Sequence, residues 1–157
     1  MVLEVCNNKR GNGVYESNYG QYRMWTGNGV KVRQWVGAFG VITASQAIEQ
    51  ARVKASCDRY QDRQGDHRLL GPESLPKYSK IDGTYMLCEI RNERSATDAE
   101  HVCFAALARE DVASVIMVEA NSHDEAVRAG KQFADQVALQ LAAAWREPLR
   151  TKAIACA

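Results

Sequence analysis

The side chains of this chain best suited to nucleophilic or metal chemistry are five cysteines, Cys6, Cys57, Cys88, Cys103 and Cys156, and three histidines, His67, His101 and His123. Cys57 lies near Asp66 and His67 in sequence, and His101 stands two residues before Cys103. A catalytic thiolate needs a positioned histidine and a setting that lowers its pKa. Neither cysteine sits in the glycine-rich frame that usually surrounds such a nucleophile, so a cytosolic enzyme or enzyme subunit using Cys57 or Cys103 is kept only as the alternative reading. No C-x-x-C pair and no His/Cys cluster of metal-ligand spacing occurs, so neither a metal site nor a cofactor is expected. His67 falls in a polar stretch that reads as a solvated loop. His123, beside Asp124 and Glu125 at a helix start, reads as a surface residue. The pairs Glu110/Asp111 and Asp124/Glu125 both stand at element boundaries, where acids serve local needs. Two Gly-Asn-Gly-Val segments, at 11–14 and 27–30, lack the lysine and flanking βαβ unit of a phosphate loop and read as hairpin turns.

A second constellation is aromatic and basic. Tyr15, Tyr19, Tyr22, Trp25 and Trp35 interleave with Arg10, Arg23, Lys31 and Arg33, and the first sixty residues carry eight Lys/Arg against four Asp/Glu. Rings and cations on one sheet face can stack bases, sugars or a planar ligand. The candidate ligand-binding set is therefore Tyr22, Arg23, Trp25, Arg33 and Trp35, expected to line one face of two adjacent strands. The competing reading places the rings over the sheet as core, with the cations solvated at its rim.

The elements that must position these residues follow from turn and period signals. Tyr22 to Trp25 and Val30 to Val36 pair across an Asn-Gly turn. Thr43-Ala44-Ser45-Gln46 forms a capping box for a helix running to about Asp62. The stretch from Gln64 to Asp82, with Gly65, Gly71, Pro72 and Pro76, reads as a long exposed connection. Three strands follow at Thr84 to Asn92, His101 to Arg109 and Val112 to Ala120. Ser122-His123-Asp124-Glu125 then opens a helix whose apolar positions Ala126, Gly130, Phe133, Val137, Leu141 and Trp145 recur at steps of three or four before Pro148. The expected fold is a single α+β domain over 1–157, an antiparallel sheet of five to six strands with two main helices packed on one face.

At 157 residues, 46% hydrophobic and 25% charged, the chain is long enough for one real core. A net charge of +1 argues against a polyanionic or polycationic partner for the surface as a whole. Cys88 and Cys103, on successive strands, form the expected disulfide, which points to an oxidising compartment. No basic region followed by an apolar run opens the chain. The expected location is extracytoplasmic, secreted or in the cell envelope, with the leader absent from this sequence; the alternative is cytoplasmic.

From Cys57 onward the chain resembles the extracellular sensor-like domain of the PknH type, found at the end of actinobacterial receptor kinases and in related cell-envelope lipoproteins. The likeness rests on Cys103-Phe104-Ala105-Ala106-Leu107-Ala108, on Asp111-Val112-Ala113-Ser114-Val115, on the helix from Ala126 to Leu141, and on Cys57 near the end of the first helix. It implies a mixed domain with disulfides and a cleft that binds a ligand without catalysis; Cys57 with Cys6 is then the second candidate pair. The chain departs from that pattern where Ala120 follows the last strand in place of a cysteine, and at Cys6, Cys88 and Cys156. The functional expectation is thus a non-catalytic ligand-binding or sensor-like domain with a cleft between sheet and long loop. Its expected partner is a small molecule, a glycan or a protein, a second copy of the chain included. A nucleic-acid-binding module on the aromatic face is a further alternative.

Overall fold

The structure, a computed structural model, describes residues 5–6, 19–95, 97 and 99–144. Among these residues, seven strands and two helices occur in the order β1 (Tyr19–Gly27), β2 (Val30–Ala38), α1 (Ala44–Lys54), β3 (Arg59–Asp62), β4 (Gly65–Glu73), β5 (Gly83–Arg91), β6 (Glu100–Arg109), β7 (Val112–Ala120) and α2 (His123–Ala144). The strands form one antiparallel sheet in the order β1-β2-β7-β6-β5-β4-β3. The fold is α+β, with more strands than the five to six expected.

Local chemistry explains most boundaries. Asn28 and Gly29 both take positive φ, 50° and 76°, which closes β1 onto β2 as the Asn-Gly turn requires. The Gly-Asn-Gly turn at 11–13 lies outside the described residues. Thr43 caps α1 through a complete capping box with Gln46. The Ser122 hydroxyl accepts from the Glu125 amide, 3.3 Å away, at the start of α2. Two segments depart from expectation. α1 ends at Lys54 instead of near Asp62, and the stretch read as a long loop contains β3 and β4. Gly65, at φ 127°, supplies a turn between them, and from there His67 faces inward on the alternation of a strand.

The larger correction concerns the layers. α1 packs with Tyr85, Leu87, Phe104 and Ala106, whereas α2 packs with Met86, Cys88, Cys103, Ala105 and Leu107. Because successive residues of a strand point to opposite faces, the two helices cover opposite sides of the sheet, not one. β5, β6 and β7 are therefore buried on both faces, as their nearly unbroken burial shows. Ala105, Ala106 and Ala108 on β6 are fully buried beneath the helices, and their small size lets both layers approach closely. Two disulfides staple this core: Cys88–Cys103 directly across β5 and β6, and Cys6–Cys57 over a separation of 51 residues.

Ala106→Leu is expected to overpack the α1 layer and cost about 1–3 kcal/mol in guanidinium unfolding. Leu139→Ala, at an exposed position of α2, is expected to stay within about 0.5 kcal/mol.

Candidate functional site

The strand register divides the aromatic and basic residues between the two faces. Tyr22 lies opposite Trp35 and Met24 opposite Arg33, whereas Trp25 lies opposite Val32 and Arg23 opposite Gln34. Trp35 belongs to the α1-side core and Val32 to the α2-side core. Tyr22, Arg33 and Trp35 thus share the α1 side, while Arg23 and Trp25 lie on the α2 side. The expectation that all five line one face is corrected, because neighbours in a strand cannot point the same way. What survives is an edge: among the described residues β1 ends the sheet and exposes Tyr22, Met24 and Trp25 by 60%, 59% and 44%. Trp35 leans inward, edge to face with Phe39 and close over Gly20. Arg33 and Lys31 turn to Glu119, at 3.2 and 3.9 Å, so the basic stripe is locally neutralised.

Glu119 is one end of a polar chain that crosses the α1 side of the sheet. Arg91 sits 3.5 Å from Glu119 and donates to Glu89 at 2.8 Å. Glu89 also accepts from the Tyr60 hydroxyl at 2.6 Å and from His67 Nδ1 at 3.1 Å. His67 Nε2 in turn reaches Asp62 at 2.8 Å. Tyr60 stacks on His67 at 4.3 Å, and the Arg91 guanidinium lies over Phe104. Glu89 and the His67 side chain have no exposure, and Arg91 and Glu119 very little. Buried charges of this kind persist only when paired and hydrogen-bonded.

Several groups here are shifted from their ordinary pKa. Burial, then the hydrogen bond and charge of Glu89, pushes the Tyr60 hydroxyl well up, so it stays a donor. Burial also pushes Asp62 upward, but hydrogen bonds from the Gln64 amide and His67, with the charges of His67 and Arg91, leave it below the usual carboxylate range. A histidine between two carboxylates has the outline of an oriented base. In this one both ring nitrogens are engaged and the side chain is buried, and the arrangement ties β3, β4, β5, β7 and β2 together. The solvated-loop reading of His67 is therefore corrected.

A cleft of about 780 Å³ lies where the β3–β4 hairpin meets the β5–β6 connection, lined by Arg59, Tyr60, His67, Arg68, Glu93 and Arg94 among others. Arg68 and Arg59 both bind Glu93 there, at 2.5 and 3.2 Å. Of the 64–82 stretch expected as a loop, Gly65–Glu73 is strand β4, and Leu75, Tyr78 and Ile81 beyond it pack against the α2-side core.

On the α2 side, Cys88, Cys103 and His123 bring their sulfurs and a ring nitrogen within 4.8 Å of one another. His101 is close by, its ring centroid 6.4 Å from that of His123. The Nδ1 atoms of both histidines are buried without a hydrogen-bond partner among the described residues. His123 is therefore not the plain surface residue that its place beside Asp124 suggests. The strand register joins Cys88 to Cys103, but only the packing of α2 brings His123 to them, which no spacing rule reveals. Glu89 and Arg91 did carry a signal: two charged residues, one apart, on the inward phase of an otherwise apolar strand.

No family model matches the chain, and no curated protein matches it.

Glu89→Gln is expected to leave Arg91 short of a buried counter-charge and to cost about 3–5 kcal/mol in chemical denaturation. Glu49→Gln, which breaks the exposed Arg52–Glu49 pair, should by contrast leave the denaturation midpoint essentially unchanged. Because the folded pKa of Asp62 is depressed, its contribution is present above the ordinary carboxylate pKa and is lost as the pH falls through the folded value. Asp62→Asn should accordingly flatten the loss of stability below about pH 4, as read by melting temperature against pH.

Proposed function

We propose that this chain is a non-catalytic, extracytoplasmic binding or sensor-like domain that takes an extended segment of another protein along the β1 edge. The observation that carries this reading is the exposure of Tyr22, Met24 and Trp25 on one nine-residue edge strand. An edge strand offers unpaired backbone groups for an added strand, and side chains on both of its faces can grip alternate residues of the incoming chain. Aromatic anchors are favoured at such surfaces because they bury large areas with few rotors to freeze. A small molecule or glycan is less well served, since the rings splay to opposite faces and form no common pocket.

Two disulfides support an oxidising location. No helix among the described residues is long and apolar enough to cross a membrane. The likeness of the strands around Cys103 and Val112 and of α2 to PknH-type sensor domains agrees with a ligand-binding role. Enzymatic use of Cys57 or Cys103 is disfavoured by their engagement in disulfides. Nucleic-acid binding is disfavoured by the pairing of Lys31 and Arg33 with Glu119.

Linear peptides selected from a displayed random library on the wild-type domain are expected to lose at least tenfold in affinity on Tyr22→Ala/Trp25→Ala, with the melting temperature moved by no more than about 2 °C. Peptides that bind the double variant equally well would overturn the assignment. So would a melting temperature that falls as for a core substitution, because the rings would then serve packing.

A further inference from the structure

We propose that Cys88, Cys103 and His123, once the cysteines are reduced, form a binding site for a thiophilic divalent cation of the zinc class, so that the same two sulfurs either make a disulfide or hold a metal. The three donors come from three elements, β5, β6 and the first residue of α2, and their ligand atoms lie mutually within 4.8 Å. Zinc–sulfur and zinc–nitrogen bonds of about 2.3 and 2.0 Å place tetrahedral ligand atoms about 3.5–3.8 Å apart, inside that limit. Thiolate and imidazole are the donors that zinc and cobalt prefer. Three protein donors leave one position open, as in zinc sites that keep a solvent or substrate ligand.

A second observation points the same way. The Nδ1 atoms of His123 and His101 are buried at this spot with no partner among the described residues, although buried ring nitrogens are normally satisfied. Beyond the sulfurs, Glu73 lies 3.5 Å from His123 Nε2, the kind of carboxylate that orients a ligating imidazole from outside. A groove of about 580 Å³ lined by Glu73, His123, Asp124, Val127 and Lys131 opens beside it and gives an ion a route from solvent.

The chemistry balances with a dithiol reductant. Its two thiols exchange with the Cys88–Cys103 bond, which breaks as the reductant closes its own disulfide; two electrons and two protons pass to the protein sulfurs. The cation then displaces those two protons as it binds both thiolates. Exchange with an incoming disulfide, which takes the two electrons and leaves as two thiolates, re-forms the Cys88–Cys103 bond and expels the cation, because a disulfide sulfur has no thiolate charge to give. Cys88 and Cys103 are almost fully buried, so exchange is expected to be slow and the two states long-lived. The site lies on the α2 side of the central strands and does not depend on the peptide-binding reading of β1.

The test uses Co²⁺ alone on the full chain, kept folded with a phosphine reductant and checked by circular dichroism. Reduced Cys6→Ser/Cys57→Ser/Cys156→Ser protein should take up one Co²⁺ with a thiolate-to-cobalt charge-transfer band, and so should the reduced wild type. The oxidised protein should show none, and reoxidation should abolish the band. His123→Ala, which keeps both cysteines, should bind at least tenfold more weakly with altered visible bands; Cys88→Ser should lose the charge-transfer intensity of one thiolate. A folded, reduced protein without the band, a band unchanged in Cys88→Ser, or undiminished affinity in His123→Ala would each overturn the proposal.

Discussion

A sheet covered by a helix on each side has no solvent face for its middle strands. Every polar group that β5, β6 and β7 carry must then find its partner inside the protein, or cost several kcal/mol. On the α1 side that demand is met by the run from Asp62 through His67, Glu89 and Arg91 to Glu119, in which each charge has an opposite neighbour. The α2 side carries fewer polar groups: Ser114 accepts from Gln34, apolar side chains pack around a covalent bond between directly facing cysteines, and His101 Nδ1 is left without a partner among the described residues. The alanines of β6 belong to the same constraint, since a sheet squeezed from both sides leaves little depth for side chains.

Function is pushed outward by this arrangement. The centre of the sheet is closed, its histidine and carboxylates hold neighbouring strands together, and the surfaces open to solvent among the described residues include the edge at β1 and the clefts around the β3–β4 hairpin and the start of α2. The β1 edge differs from the others in exposing rings instead of paired charges. At the hairpin cleft, by contrast, Arg59 and Arg68 already satisfy Glu93, which leaves less unsatisfied surface for a ligand.

Much of this was legible in the residues. The capping boxes at Thr43 and Ser122, the Asn28-Gly29 turn and the apolar run from Val112 to Val118 are local signals, and each produced its element. The Cys88–Cys103 pair followed from reading two successive strands. What failed depended on the third dimension. Helix period in α1 and α2 shows that each has an apolar stripe but not which face of the sheet receives it. The hairpin at Arg59–Glu73 was hidden by glycines and prolines that resemble loop punctuation, although His67 and Leu69 alternate with polar residues there. The aromatic set was misjudged for a simpler reason: Tyr22 and Arg23 are adjacent, and in a strand adjacency means opposite faces. His123 meets the cysteines only through the docking of α2.

The account rests on the sheet being sealed by Cys88–Cys103 and Cys6–Cys57 in the native protein. Intact mass after alkylation, with and without prior reduction, tests this most directly. Unfolded and alkylated without reduction, the protein should take up one label, on Cys156, and after reduction five, matching the five cysteines and two disulfides. Five labels without reduction would show that neither disulfide is present, remove the sign of an oxidising compartment and leave the thiols as candidate reactive groups.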